Sequence, residues 1–416
     1  MKISGTRIGR IFRTGWDNLR RRTRKVLFAL PFILLAAGIG LCIFSGIRIT
    51  QIRDSQKSQI AAELWSGDTG KSYRQITCFA KGQTQTDGKP DLYLTSAVSL
   101  NSADIEAIHK SLDTTVKAAS GEKETSGTEN KSAAQSNSKR FWIDAYSSEA
   151  SCTVVRAATE VKPEVSAEVT LTGVSGDYYL FHPLKMIGGA FLSDDTLDTK
   201  KIVIDKELAF KLFGFYDVVG SDVRINDRAY TIVGVVQHGD TKIDNQTTGD
   251  LMHAYVLFDE LSYLSAGSSV PGTTAASVSV SKDAAPTDPA DPSVPADPST
   301  LAVMCYEVVL PNKISGIAMQ NLKSAMETAG KVEKNFLFVD NTNRFSPLRL
   351  YDTVFPIGEN MLERQQYRFP FWELSAETAE YVSVFWWVTG IAGFAMVLSS
   401  GLALYTGFHK RKESGV

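Results

Sequence analysis

The sequence predicts an α+β external domain held between two transmembrane α-helices that continue out of the membrane as helical stalks. Three observations carry this: two uncharged apolar stretches near the ends, basic residues banked against their outer sides, and a long middle where strand-like and helix-like patterns alternate. Over 416 residues the averages are ordinary, 43% hydrophobic and 22% charged with a net charge of −2. They exclude a collagen-like or wholly disordered chain, and four cysteines are too few for a disulfide scaffold.

Charge resolved by region says more. Residues 1–25 hold nine Lys and Arg against Asp17, and residues 409–416 hold three against Glu413. Residues 26–47 and 381–408 hold none of either sign, so residues 48–380 sum to −12. The acidic middle keeps the domain soluble and speaks against nucleic acid as a partner.

The first helix begins before the membrane. Ile8, Ile11, Phe12, Trp16 and Leu19 recur near helical period between arginines, the pattern of an amphipathic helix lying along the inner membrane surface. Val26–Ile47 then gives 22 apolar residues, where about 20 suffice to cross the hydrocarbon core. A cleaved secretory signal has a shorter apolar region, and a lipid anchor on Cys42 is disfavoured by the bulky Leu41 before it. Tyr381–Phe408 is the second span, with aromatic residues near both ends as interfacial belts have. Lys and Arg crowd the outer ends of both spans, which by the positive-inside rule places both termini in the cytoplasm and residues 48–380 outside the cell membrane. Ser399, Ala403 and Gly407, and likewise Ala36 and Gly40, stand four apart, so each span offers a small-residue face for helix packing. Neither span contains an Asp, Glu, Lys, Arg or His, which argues against a proton relay or ion pathway.

After the first span, residues 48–65 lack Gly and Pro, so that helix is expected to continue as a stalk. Before the second, Ser375 is expected to cap a helix running on to Lys410. Between them, Tyr73–Lys81, Phe141–Ala145, Ser151–Ala158, Val165–Gly173, Lys201–Ile204, Leu301–Leu310 and Phe336–Val339 read as strands. Ser102–Lys117 and Ile314–Thr328 read as helices, and Asp205 is expected to cap a third that ends at Gly214. Val223–Ile225 and Ala229–Val236 flank Asn226-Asp227, a hairpin turn. Two segments break the order. Residues 119–139 are polar without an aromatic, the composition of a disordered insertion, and residues 267–300 hold six of the fourteen prolines, the composition of a linker.

The segment 171–236 resembles the periplasmic core domain of MacB/FtsX-type ABC transporter permeases. Gly173 precedes the acidic-aromatic Asp177-Tyr178, then come Gly189 with Phe191, the helix end Ala209…Phe213-Gly214, Gly220, and the strand containing Gly234. Trp16-Asp17-Asn18-Leu19-Arg20 is similar to the family's basic leading helix. The resemblance implies a permease-like subunit whose external domain moves with its membrane helices, for efflux or mechanotransmission, while a cytoplasmic ABC ATPase supplies energy. Family members usually carry four spans, three after the external domain; with one of those three here, the chain is expected to be a reduced subunit pairing with a fuller permease or with itself, or the first half of a split one. The expected organisation is a cytoplasmic amphipathic helix (1–25), span (26–47), stalk (48–71), core lobe (72–237), second subdomain (238–300) ending in the linker, returning core lobe (301–374), stalk and span (375–408) and cytoplasmic tail (409–416).

Other chemistry finds little footing. Gly67-Asp68-Thr69-Gly70-Lys71-Ser72 ends like a phosphate-binding loop, but Trp65 stands where the motif needs glycine. His109, His182, His238, His253 and His409 show no metal-ligand spacing, and no nucleophile elbow appears, so no metal, cofactor or enzymatic activity is expected. Cys78, Cys152 and Cys305 lie in strand-like settings as buried free thiols, or as one disulfide with a thiol left over. The competing function is a membrane-anchored external binding or sensor domain without transport.

Overall fold

The computed structural model describes residues 5–67, 73–81, 99–120, 141–158, 160, 163–226, 228–239, 241–248, 251–265, 301–354, 364, 367 and 369–413. The polar stretch 121–139, the proline-rich 267–300 and the loop residues Asp68–Ser72 lie outside these, as do the side chains of Ile8, Ile11, Phe12, Trp16 and Leu19. The chain divides into two compact units, one of Met1–Asp54 with Ala379–Val416 and one of Ser55–Thr378.

The first unit holds the apolar lengths of two helices, α1 (Gly5–Ser55) and the last helix (Phe371–Glu413). Windows within Ala29–Ser55 and Phe371–His409 have mean hydropathies of 2.3 and 1.7, long and apolar enough to cross a membrane. Ile33, Ile43, Phe385, Ile391 and Leu402 are exposed along them, as residues meant to face lipid would be. Their mutual contact is built where side chains nearly vanish. Gly38 and Gly393 are buried, and a Cβ added at Gly38 would sit 2.7 Å from the Gly393 carbonyl oxygen. The Ser45 hydroxyl donates to the Trp386 carbonyl, and the Cys42 thiol reaches the Gly390 carbonyl at 3.6 Å. The expected faces do not make this contact: Ala36, Gly40, Ser399, Ala403 and Gly407 are all exposed, with open space around Gly40 and Gly407. Four-residue spacing marks a smooth face, and several such faces coexist on one glycine-rich helix.

The second unit is α+β. After a 3₁₀ turn (Lys57–Gln59) come α2 (Ala61–Ser66), β1 (Tyr73–Ala80), α3 (Ser102–Ser120), β2 (Ile143–Arg156), β3 (Val165–Gly176), α4 (Tyr178–Phe181), β4 (Lys185–Gly189), β5 (Lys201–Asp205), α5 (Lys206–Phe213), β6 (Asp222–Ile225) and β7 (Arg228–Gln237). Then follow α6 (Lys242–Thr248), β8 (Met252–Leu257), α7 (Ser262–Ser265), β9 (Cys305–Pro311), α8 (Ile317–Thr328), β10 (Phe336–Asp340), α9 (Pro347–Val354) and α10 (Phe371–Glu413). One mixed sheet runs β10-β1-β9-β2-β3-β8-β5-β7-β4, and β6 pairs with both β2 and β7. That pairing closes a six-strand circuit, β2-β3-β8-β5-β7-β6, leaving β10, β1 and β9 as an open wing. Helices α3 and α8 pack together and bury Ile108, Leu112, Leu322 and Met326 in the main apolar core.

Several local readings change in the fold. The strands expected at 141–145 and 151–158 are one 14-residue strand, β2, long enough to pair with β9 at one end and β6 at the other. Helix α1 breaks at Ser55, because the chain turns there to place Ala61 N–H on the Gln75 side chain at 2.8 Å. Ser375 does not cap the last helix but lies in its first turns. Pro370 starts the helix instead, its carbonyl accepting from Glu373 and Leu374 N–H at 3.0 and 3.1 Å, with φ fixed near helical values by the ring.

Candidate functional site

Within the second unit, the residues just past α1 and the first turns of α10 lie at neighbouring places on the sheet, and this junction gathers buried polar groups. Residues 56–59, just past α1, and residues 371–375, the first turns of α10, both rest on β1 and on the segment after β10. Glu373 and Arg344 are 0% and 2% exposed and form a two-pronged ion pair at 2.6 and 2.8 Å. A carboxylate in the first turn of α10 is favoured by the helix dipole, and bidentate geometry holds the guanidinium plane.

From this pair the contacts run inward. Arg344 also donates to Asn341 Oδ1 at 3.1 Å, Asn341 donates to Thr77 Oγ1 at 2.8 Å, and Thr77 donates to Glu307 Oε1 at 3.0 Å. Glu307 meets the His182 imidazole, whose ring lies 4.3 Å from that of Trp372, the residue next to Glu373. The network therefore starts and ends on α10. Ser375 binds the two helix ends together: Gln56 Nε2 donates to its hydroxyl at 3.2 Å, and that hydroxyl donates to Asp244 of α6 at 2.6 Å.

Beside Trp372, Phe371 presents its ring to a pair of imidazoles, 4.9 Å from His238 and 4.7 Å from His253. Burial lowers these histidines to about 3 and about 4, so both are neutral at pH 7. Tyr255 Oη lies 3.2 Å from His238 Nε2, while both ring nitrogens of His253 are buried without a partner among the described residues. Asp205, which caps α5 through Leu208 N–H at 2.7 Å and accepts from His253 N–H at 2.5 Å, is pushed up to about 7 by burial. Asp205, His238, His253 and Phe371 line two clefts, of 410 Å³ against α5 and 200 Å³ against the helix ends, which share Gln237, His238 and Gly239. Among the described residues no three His, Cys, Asp or Glu side chains are grouped to hold a metal. All four cysteines are free; Cys78 and Cys305 are buried and Cys152 is partly buried. Burial raises all three thiols, Cys152 to about 12, which keeps them protonated and poor nucleophiles.

The residues singled out by motif lie on β3, α4, β4, α5, β7 and the turns beside them. Gly189 and Gly234 face each other across β4 and β7. A Cβ on Gly189 (φ +83°) would sit 2.0 Å from the Val233 carbonyl oxygen, and one on Gly234 2.4 Å from that of Ala190. Gly173 is crowded by Leu261, and Gly214 and Gly220 hold positive φ in open space. Tyr178 and Ala209 are buried, Phe191 stacks on Tyr179 at 4.3 Å, Phe213 lies under the Arg156 guanidinium at 5.9 Å, and Asp177 N–H donates to the Asp144 carbonyl. The motif therefore marks backbone approaches that shape the fold. Sequence reading missed Arg344, Glu373, Asn341, Thr77, Glu307 and Trp372, although an acid three residues after Pro370 amid Phe371, Trp372 and Leu374 was a visible sign.

An α+β domain whose two ends pass into long apolar helices defines a class of membrane-anchored proteins with a domain outside the bilayer. The family described as MacB-like periplasmic core domain matches residues 32–291, more than half of the chain, and the chain belongs to it. It is thereby a membrane subunit of an ABC-type system. Among solved structures, the periplasmic region of MacB from Actinobacillus actinomycetemcomitans is 16% identical, with 66% of this chain and 91% of that one covered and a TM-score of 0.35. The extracellular domain of the noncanonic ABC-type transporter YknZ from Gram-positive bacteria is 17% identical, with 64% and 99% covered and a TM-score of 0.35. No curated protein matches the chain.

Proposed function

We propose that the chain is a permease-like subunit with both termini in the cytoplasm, in which the outer domain and the two terminal helices move together and a partner ABC ATPase supplies the energy. The observation that carries this reading is the junction: both helix ends are tied into one sheet by a buried ion pair and the hydrogen bonds that extend it. Such a device suits the transfer of force, because a buried directional pair resists re-angling until the whole network gives way. The exposed faces with Ala36 and Gly40, and with Ser399, Ala403 and Gly407, suit the spans of a fuller permease or a second copy as partner.

The test is purification of the tagged full chain from its native membrane. Co-recovery of an ABC ATPase, and loss of ATP-dependent transport or signalling in Glu373→Gln while ATP hydrolysis continues, are the expected outcomes. Recovery of the chain alone, with its cellular phenotype unchanged when ATPases of this class are deleted, would sink the reading. The two clefts beside His238 favour a second reading, an anchored binding domain; function that survives replacement of both spans by unrelated ones would support it instead.

A further inference from the structure

We propose that α6 is a releasable strap that locks the two helix ends to each other and to the sheet, and that lifting it frees the junction to change angle. This rests on reading the junction as the point of coupling. The strap is the seven-residue helix Lys242–Thr248 in the connection from β7 to β8. None of its residues described for exposure, 242–247, is buried. It is therefore held by few apolar contacts, the signature of an element that opens locally at low cost. Its anchor is the Asp244 carboxylate, which accepts from the Ser375 hydroxyl of α10 at 2.6 Å, and Ser375 is shared with Gln56 at the end of the incoming helix. The same Asp244 accepts from Thr241 Oγ1 at 2.6 Å, and Thr241 Oγ1 accepts from Asp244 N–H at 3.1 Å, so the strap's own start is built around its anchor.

Two further features suit release. The clefts of 410 and 200 Å³ meet at Gln237, His238 and Gly239, the segment that leads into the strap, so hollow space rather than packed core lies beside it. Gly239 lets the strap close: a Cβ there would stand 2.3 Å from Asp244 Oδ2 and 3.1 Å from its Cγ. The backbone at Gly239 is not left-handed, so alanine there meets the Asp244 side chain first and no φ strain. Gly239→Ala is accordingly a wedge under the anchor, and Asp244→Ala removes the anchor while leaving the Gln56–Ser375 hydrogen bond in place.

The experiment is hydrogen exchange by mass spectrometry on the full chain in lipid nanodiscs. In both variants, exchange at residues 371–378 and 55–60 is expected to rise about tenfold, the loss of roughly one charge-assisted hydrogen bond, with β2 and β9 unchanged. Faster exchange confined to 242–248, with the helix ends as protected as in the parent chain, overturns the proposal. If Gly239→Ala loosens the whole domain, Asp244→Ala alone decides. A chain that shows the coupled loosening yet copurifies with no ATPase keeps the strap and loses the transport reading, so the two fail separately.

Discussion

In the helical unit α1 meets α10 where side chains are almost absent, Gly38 against Gly393 with Ser45 reaching the Trp386 carbonyl, whereas in the domain unit the first turn of α10 is held by a fully buried Arg344–Glu373 pair and by two aromatic residues set on imidazoles. Both contacts involve one helix, and they fail differently. Backbone approach is lost by adding atoms, and a buried pair is lost by removing charge. The first tolerates any sequence that stays small; the second tolerates only changes that treat both partners together.

The largest effect is expected at the pair. Glu373→Gln leaves Arg344 buried without its counter-charge and should cost about 3–5 kcal/mol, read as a shift in thermal or urea unfolding of the full chain in nanodiscs. Replacing both together, Arg344→Met with Glu373→Leu, should recover most of that stability, because two uncharged side chains leave no charge stranded. The comparison breaks if the single change is silent.

A smaller cost is expected where glycine lets β4 approach β7. Gly234→Ala puts a methyl against the Ala190 carbonyl oxygen, and a few kcal/mol of backbone shift follow. Gly214→Ala meets nothing but must hold φ at 84°, for roughly 1–2 kcal/mol. Unfolding midpoints of the two variants side by side separate crowding from conformational strain.

This pair also shows what sequence can disclose. Asp205 and Gly214 bracket α5 as their types predict, since a cap and a left-handed stop are local and need no knowledge of the rest of the chain. Asn226, with φ 53°, turns the β6–β7 hairpin for the same reason. The junction was not legible, because Arg344, Glu373, Thr77 and Glu307 lie far apart in sequence and each alone reads as a surface polar residue. Ser375 shows the limit most directly. Its type suited a cap, and the fold used its hydroxyl for a contact 131 residues away in sequence.

In the helical unit the expected cost is about 1–3 kcal/mol and depends on face. Gly38→Ala drives a methyl to within 2.7 Å of a carbonyl and should separate the spans, lowering disulfide cross-linking between cysteines introduced along them, while Gly40→Ala and Gly407→Ala meet open space. Equal effects at all three would show that the spans meet on some other face.

The smallest effect is a change of slope with pH, and it belongs to the imidazoles under Phe371. Unfolded histidine titrates near 6.5 and unfolded aspartate near 3.9, whereas in the fold His238 and His253 titrate at about 3 and about 4 and Asp205 at about 7. Between pH 4 and 6.5 the unfolded chain holds two imidazole protons that the fold lacks, and the fold holds one on Asp205 that the unfolded chain lacks. The stability tied to the neutral imidazoles is present above pH 6.5 and is lost as pH falls toward 4; that tied to protonated Asp205 is full below 3.9 and is lost as pH rises through 7. The unfolded state therefore binds about one proton more, and this cluster makes stability rise with pH by about 1.4 kcal/mol per unit in that window. His253→Phe keeps an aromatic ring against Phe371 and removes one imidazole, so the cluster's contribution should flatten. Asp205→Asn keeps an acceptor for the cap and removes the opposing proton, so the slope should about double. Urea unfolding of both variants at pH 4.5, 5.5 and 6.5 measures this, and parallel slopes in all three chains would mean that the imidazoles are wet and charged, and that the aromatic root of α10 is not the dry contact that sets it apart from the glycine contact in the helical unit.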